Sequence, residues 1–389
     1  MVFVMTACAE NSSQSEKSQP AEQTTVQPTT MSAEEINDRK LDKFISDMTL
    51  EEKVGQMFFV RCPDKDAVQQ VSEYNIGGYI LFGRDFDGKT KDEVVDDING
   101  YQNEADIPLL IGVDEEGGTV VRVSSNPNLR ETPFLSPKDT YADGGWDAVK
   151  QDAEEKADLL LSLGINVNLA PVCDMTSNEY GFMYDRSFSS DVDMENRYVR
   201  TVVETSRSKK LGTVLKHFPG YGNNSDTHTG IAYDDRDCSE FENTDFKPFY
   251  QGIESDADCI LVSHNIVNCM DSEYPASLSQ KVHDILRNEF KFDGVIMTDD
   301  LIMDAITDFT GDEAAAVTAA KCGNDLLCCS SVDTQYPAVL EAVQNGEISE
   351  TQVDASVKRI LKWKQNLGIF NIDTYQKKVR SIDSADTTE

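Results

Sequence analysis

Short apolar runs recur eight times along this chain, at 57–60, 78–82, 109–113, 166–170, 213–215, 259–262, 294–297 and 325–328. Runs this short and this continuous are what strands buried on both faces require. Between most of them lie stretches with helical periodicity, for example 146–163, 197–211 and 313–322. Such alternation points to parallel pairing, because each strand needs a crossover before the next can lie beside it. Eight units in roughly 330 residues predict a single-domain α/β fold, a (β/α)8 TIM-type barrel over 31–370 with loop insertions. A flavodoxin-like doubly wound sheet needs fewer strands and ranks second.

Barrels of this kind keep their chemistry where strand carboxyl ends open into loops. The fifth run leads into Lys216, His217, Phe218, Pro219, Gly220, Tyr221 and Gly222, followed by Asp226, Thr227 and His228, so one segment holds two of the four histidines. Gly220 and Gly222 let the backbone take positive φ and approach a ligand closely. In an extended loop Asp226 and His228 fall on one side of the backbone, where the carboxylate raises the imidazole's proton affinity. Such a histidine gives and takes a proton near neutral pH. An isolated Asp-x-His reads first as a turn cap beside a surface histidine. The lysine, histidine and glycines upstream favour the functional reading.

The seventh run, within Phe292, Asp293, Gly294, Val295, Ile296, Met297, Thr298, Asp299, Asp300 and Leu301, ends in two adjacent acids. Neighbouring carboxylates at a buried strand end repel and cost desolvation energy. One of them suits a nucleophile toward an acetal carbon. A helix N-cap explains one acid of the pair but not both.

Together these residues resemble glycoside hydrolase family 3, in its β-N-acetylglucosaminidase branch, which carries Lys-His-Phe-Pro-Gly-x-Gly and Asp-x-His on one loop. The resemblance runs over 41–370. It is shared by Met48-Thr49-Leu50-Glu51-Glu52-Lys53-Val54-Gly55-Gln56, by Val113-Asp114-Glu115-Glu116-Gly117-Gly118 with Arg122, by Ala170-Pro171-Val172-Cys173-Asp174 and by Asp185-Arg186-Ser187-Phe188. It implies that Asp299 is the nucleophile and His228 the general acid/base, polarised by Asp226. It also implies that Asp114, Arg122, Arg186, Lys216 and His217 grip the sugar. Tyr221 stands where histidine is frequent, Thr227 replaces a common serine and Glu115 a common glutamine. Outside that resemblance, Asp114 reads as a cap and Arg122 as a solvated cation. His264 reads equally as a pocket residue and as a structural one, and His283, in the helical pattern 279–290, reads as surface.

The chemistry implied is that of a retaining glycosidase: a carboxylate displaces the aglycone, and the glycosyl ester is then hydrolysed while the second group turns from acid to base. The expected activity is exo-acting removal of terminal β-linked N-acetylglucosamine from muropeptides or chitooligosaccharides. An imidazole repels an incoming anion less than a carboxylate does, so a phosphorylase with the same site is the alternative. A sugar-binding lipoprotein without catalysis is the rival of a different class, and a β-glucosidase ranks lower. No cofactor or metal is called for, and no zinc-like Cys/His spacing occurs.

With 70 acidic against 35 basic residues the chain carries −35, which excludes nucleic acid as a partner. Neutral sugars suit this charge, and any negative substrate group has to be met locally by Arg122, Arg186 or Lys216. Met5-Thr6-Ala7-Cys8 resembles the end of a lipoprotein signal, although the basic region and long apolar stretch are missing; a chance cysteine is the competing reading. Residues 9–30 read as a disordered polar tether, so 1–30 suggest an exported enzyme tethered to a membrane through Cys8, with a cytoplasmic one as the alternative. The other eight cysteines show no paired framework and are expected to be mostly buried free thiols. Thr49 to Glu52 form a capping box where order is expected to begin. The 350–370 stretch reads as a helix closing the barrel. A frayed polar tail over 371–389, a monomer, and no room for the second α/β sandwich domain of many family members complete the expectations.

Overall fold

The alternation of apolar runs and amphipathic helices becomes, in a computed structural model describing residues 31–224, 230–310 and 312–375, a parallel barrel. In chain order the elements are α1 (Ala33–Asp47), α2 (Leu50–Gln56), β1 (Phe58–Arg61), α3 (Ala67–Tyr74), β2 (Gly78–Leu81), α4 (Lys91–Glu104), β3 (Leu110–Val113), α5 (Pro137–Ser162), β4 (Val167–Asn168), α6 (Val192–Ser208) and β5 (Gly212–Phe218). There follow β6 (Tyr233–Asp234), α7 (Cys238–Asn243), α8 (Phe246–Glu254), β7 (Cys259–Val262), β8 (Ile266–Val267), α9 (Gln280–Asp284), β9 (Val295–Thr298), α10 (Asp304–Thr310), α11 (Asp312–Lys321), β10 (Leu327–Cys329), α12 (Val332–Gln344) and α13 (Glu350–Asn366). Eight strands pair in parallel in the order β10-β1-β2-β3-β4-β5-β7-β9, and a parallel bridge from Met297 to Leu326 joins the ends. The expected TIM-type barrel is therefore present, while β6 and β8 form a separate two-stranded sheet beside it.

Strand periodicity sorts the apolar residues into two sets. Phe59, Ile80, Leu110, Val167, Val214, Leu261, Val295, Met297 and Cys328 cluster together, whereas Phe58, Val60, Tyr79, Ile111, Leu215, Ile260 and Ile296 join the two clusters that include helix residues around the barrel. A Cβ at Gly112 would stand 2.5 Å from the Phe59 ring, so the glycine leaves room for that ring in the interior. From α13, Ile360 and Trp363, with Leu367 at its C-cap, complete the interior cluster, as expected of a helix closing the barrel. Each large side chain so buried stabilises the fold by about 1.5–3 kcal/mol before entropy is counted.

Several expectations are corrected. β5 continues through Lys216 and His217 to Phe218, because carboxylates inside the barrel mouth satisfy the lysine that had signalled a loop. β4 shrinks to two residues, since the Ala170 N–H turns back to the Asn168 carbonyl at 2.8 Å instead of bonding a neighbouring strand. The Thr49–Glu52 capping box is present, with Glu52 N–H to Thr49 Oγ1 at 3.2 Å and Thr49 N–H to Glu52 Oε2 at 2.7 Å, but α1 precedes it. After Phe370 the chain stays packed through Tyr375, whose ring centroid lies 4.9 Å from that of Phe44; residues 376–389, like 1–30, lie outside the described residues. His283 is buried, not exposed: its ring bonds the Ser279 carbonyl four residues back at 2.8 Å, so the helix supplies its polar partner. Burial pushes its pKa down.

Six of the eight cysteines are buried free thiols as expected, namely Cys62, Cys173, Cys259, Cys322, Cys328 and Cys329. Cys238 and Cys269 instead form a disulfide. Parallel pairing of β6 with β8 brings the segments after β5 and β7 together, a long-range event that spacing does not announce.

Candidate active site

Because all barrel strands run the same way, residues at their carboxyl ends share one rim. Asp114 follows β3, Asp174 lies beyond β4, Lys216 and His217 end β5, His264 follows β7, and Asp299 and Asp300 follow β9. Four of these side chains and two neighbours form one connected network.

Its centre is Glu116, buried between two cations. Lys216 Nζ lies 2.7 Å from Glu116 Oε1 and 2.5 Å from Asp114 Oδ1. Arg186 donates Nε to Glu116 Oε2 at 2.9 Å and Nη2 to Glu116 Oε1 at 2.8 Å, the two-pronged geometry that suits guanidinium and carboxylate. Burial alone opposes charge on all three groups. The cations outweigh it for Glu116 and hold its carboxyl well below the usual range, while the carboxylates keep Arg186 and Lys216 above theirs. All three stay ionised.

Arg186 also reaches His217, with Nη2 3.2 Å from Nε2. The opposite ring nitrogen, Nδ1, lies 2.7 Å from Asp174 Oδ2, which also accepts the His217 backbone N–H at 2.9 Å. Asp174 Oδ1 accepts the Tyr221 N–H at 2.7 Å. One carboxylate thus fixes the imidazole and the first turn of the glycine loop. The Tyr221 ring lies against His217 at 5.3 Å and Phe182 at 5.1 Å between centroids, so this departure from the family pattern is absorbed by packing.

The glycines of that loop have particular causes. Gly220 (φ 118°) and Gly222 (φ 55°) hold positive φ, and added Cβ atoms would strike Asp245 and the Arg236 guanidinium. Arg236 bonds Asp234, Asp245 and the Gly220 carbonyl. Asp226 and His228, expected farther along the loop, lie outside the described residues.

Asp299 is half-buried and its Oδ1 accepts the Asp300 N–H at 2.9 Å. Asp300 turns to Ser330 Oγ (2.7 Å) and the Ile302 N–H (3.2 Å), and burial pushes its carboxyl pKa up. The adjacent acids are therefore divided, with Asp300 capping the following turn. His264 is buried, its ring bonded to Ser277 Oγ at 2.8 Å and the Asp300 carbonyl at 3.0 Å, which favours the structural reading. Glu115 accepts the N–H groups of Arg122 (2.9 Å) and Val123 (2.7 Å) and the Ser124 hydroxyl; this acceptor fixes the loop carrying Arg122. The Arg122 side chain stands apart from the Glu116 network, against Phe82.

Sequence reasoning quoted Glu116 and Asp174 within motifs but gave neither a role. Their signal was a buried lysine and a buried histidine, each needing an acid.

The chain matches the glycosyl hydrolase family 3 N-terminal domain over residues 49–363. It belongs to glycosyl hydrolase family 3. Among family 3 relatives, Beta-hexosaminidase A of Pseudoalteromonas piscicida is 30% identical over 327 residues, covering 76% of this chain and 54% of that protein, so the chain spans about half its length. Beta-hexosaminidase LpqI of Mycobacterium tuberculosis is 31% identical over 331 residues, covering 80% of this chain and 82% of the relative. The solved structure of a glycoside hydrolase family 3 beta-N-acetylglucosaminidase from Paenibacillus sp. str. FPU-7 superposes with a TM-score of 0.78 at 30% identity, covering 83% of this chain and 63% of that one. A family 3 barrel with an ion-paired polar network at its strand ends is suited to holding a many-hydroxyl ligand.

Proposed function

We propose that this family 3 protein is a β-N-acetylhexosaminidase, an exo-acting retaining glycosidase that removes terminal β-linked N-acetylglucosamine from muropeptides or chitooligosaccharides. The observation that carries the reading is the Asp114–Lys216–Glu116–Arg186–His217 network at the barrel mouth. Fixed donors and acceptors of this density suit sugar hydroxyls, whose bonds to water must be replaced one for one. The names of the relatives point to the same substrate.

In this reading Asp114, Arg122, Arg186, Lys216 and His217 hold the terminal sugar. Asp299 attacks the anomeric carbon while His228, polarised by Asp226, protonates the departing oxygen, leaving a glycosyl-aspartate ester. The neutral imidazole then takes a proton from water, which attacks the same carbon and frees Asp299.

Turnover of an aryl N-acetyl-β-glucosaminide beside the aryl glucoside, with and without phosphate, on wild type and Asp299→Ala, tests the proposal. The expected result is hydrolysis of the N-acetyl substrate alone, lost in the variant. Equal cleavage by both proteins removes Asp299 from its role. Preference for the glucoside overturns the substrate, and a sugar phosphate as product replaces hydrolysis by phosphorolysis. His228→Ala is expected to harm substrates with poor leaving groups most. We also propose export, with Cys8 as a lipid anchor; a structural disulfide at 238–269 fits an oxidising compartment. A membrane fraction that loses the protein on Cys8→Ala is the expected outcome.

A further inference from the structure

In chain order Asp226 and His228 lie between two described segments, the Gly220 turn that follows β5 and the short strand β6. β6 pairs with β8, and the Cys238–Cys269 disulfide ties the chain just beyond β6 to the chain just beyond β8. Both anchors hold the returning end to the segment after β7, and neither bonds the Gly220 turn. The Arg236 side chain does. Its Nη2 donates to the Gly220 carbonyl at 3.1 Å and to Asp234 Oδ2 at 2.8 Å, its Nε to Asp234 Oδ1 at 3.1 Å and its Nη1 to Asp245 Oδ2 at 3.0 Å. One guanidinium thus bonds the departing turn, the returning strand and the residue before α8.

The surroundings hold this guanidinium in place. Asp234 and Asp245 are both buried; burial opposes charge on Arg236, but the two carboxylates outweigh it and keep its pKa above the usual range. Asp245 stands at the N-cap of α8 without capping it, and its oxygens turn to Arg236 and to the Thr244 hydroxyl (2.7 Å) instead. The guanidinium carbon lies 4.1 Å from the centroid of the buried Phe241 ring. A Cβ at Gly222 would stand 2.7 Å from that same carbon, so the turn packs directly against the cation. Neutralising two acids needs only a positive charge, which a lysine supplies. Reaching a backbone carbonyl at the same time needs the planar five-donor fork of arginine.

We propose that Arg236 is a positioning residue for the general acid/base: by bonding Gly220 and Asp234 together it fixes both ends of the chain that carries His228. Holding the ends of a connection narrows the positions open to its middle, and proton donation to a leaving oxygen depends steeply on placement. Arg236 acts through the chain it holds and not on the sugar. The inference rests on reading His228 as the acid/base.

Arg236→Lys tests it, because the lysine keeps a positive charge between Asp234 and Asp245 and gives up the fork that reaches Gly220. Two N-acetyl-β-glucosaminides separate positioning from stability, one with a dinitrophenyl aglycone that departs without a proton, the other a diacetylchitobiose whose sugar aglycone needs one. In the variant kcat/KM is expected to fall about tenfold or more on the disaccharide and about threefold or less on the dinitrophenyl substrate. A general loss of folded protein lowers both alike, so equal losses overturn the proposal. In a His228→Ala background the same lysine is expected to cause no further loss on the disaccharide, and a further loss overturns it. Hydrogen exchange of the full chain reads the anchor without turnover: peptides covering 218–224 and 230–236 are expected to exchange faster in Arg236→Lys, while those over β1 to β3 keep their rates. Unchanged exchange in the first two overturns the inference. If His228→Ala cleaves the disaccharide as well as wild type does, the acid/base reading falls and this inference with it. Equal losses in Arg236→Lys beside a His228→Ala variant impaired on the disaccharide overturn this inference alone.

Discussion

Arg186 grips Glu116 with two prongs, and the same guanidinium continues to His217. With Lys216 on the other side, the buried carboxylate is the shared counter-ion of two cations from different parts of the chain. Glu116→Gln is therefore expected to cost about 3–5 kcal/mol, because it leaves buried positive charge uncompensated. Urea unfolding measures it, and a loss below about 1 kcal/mol would show that water or Asp114 compensates the cations. The sign for pH follows from the lowered folded pKa of Glu116. Its contribution is present above the ordinary carboxylate range and is lost as acid titrates the folded group.

Asp174 offers a second test because it acts on the site through others. Its oxygens receive the His217 ring, the His217 N–H and the Tyr221 N–H. In Asp174→Asn the amide group must turn a donor toward one of these donors. Loss of a charge-assisted hydrogen bond of about 1.5–3 kcal/mol is expected to appear mainly as a rise in KM of tenfold or more. Steady-state kinetics on an aryl N-acetyl-β-glucosaminide separate the two constants. A fall in kcat with KM unchanged would contradict a positioning role for Asp174.

The barrel was legible because burial on both faces leaves a continuous apolar run, and seven of the eight runs needed shifts of at most three residues at their ends. The eighth, at 166–170, kept only Val167 and Asn168, because the Ala170 N–H turns back to the Asn168 carbonyl. Lys216 and His217 misled the end of β5, because a charged residue in a strand makes sense only once Asp114, Glu116 and Asp174 are known to lie opposite. Motif spacing marked Asp114, Arg186, Lys216 and His217, which the fold brings together; it could not assign partners that meet across strands. The Cys238–Cys269 bond depends on the pairing of β6 with β8, two strands too short to read from periodicity.

Gly220 separates backbone strain from steric conflict. Alanine there must hold φ at 118° and push its Cβ into Asp245, whereas Gly88, also at positive φ (70°), faces open space. Gly220→Ala is expected to cost about 1–3 kcal/mol and Gly88→Ala less than that, by thermal or urea unfolding of each. Equal losses would assign the whole effect to φ and none to the packing of Asp245 beneath the loop.

Lys364 gives the last prediction, at the end of the barrel closed by α13. It is fully buried, its ammonium meets Gln56 Oε1 at 2.7 Å, and burial pulls its pKa down to about 7. An unfolded lysine titrates near 10.5, so between these values the unfolded state holds more protons than the folded one, and stability rises with pH across that window. The slope is at most about 1.4 kcal/mol per pH unit. Lys364→Met removes the titrating group and keeps most of the volume. The variant is expected to be more stable than wild type near pH 7, with the advantage shrinking toward pH 10 as wild type releases its proton without cost in the unfolded chain. Asp258, pushed up to about 6 by burial, acts in a lower window and is common to both proteins. Urea unfolding of the pair at pH 7, 8.5 and 10 decides it, and a difference that stays constant over this range would mean that Lys364 remains charged in the fold.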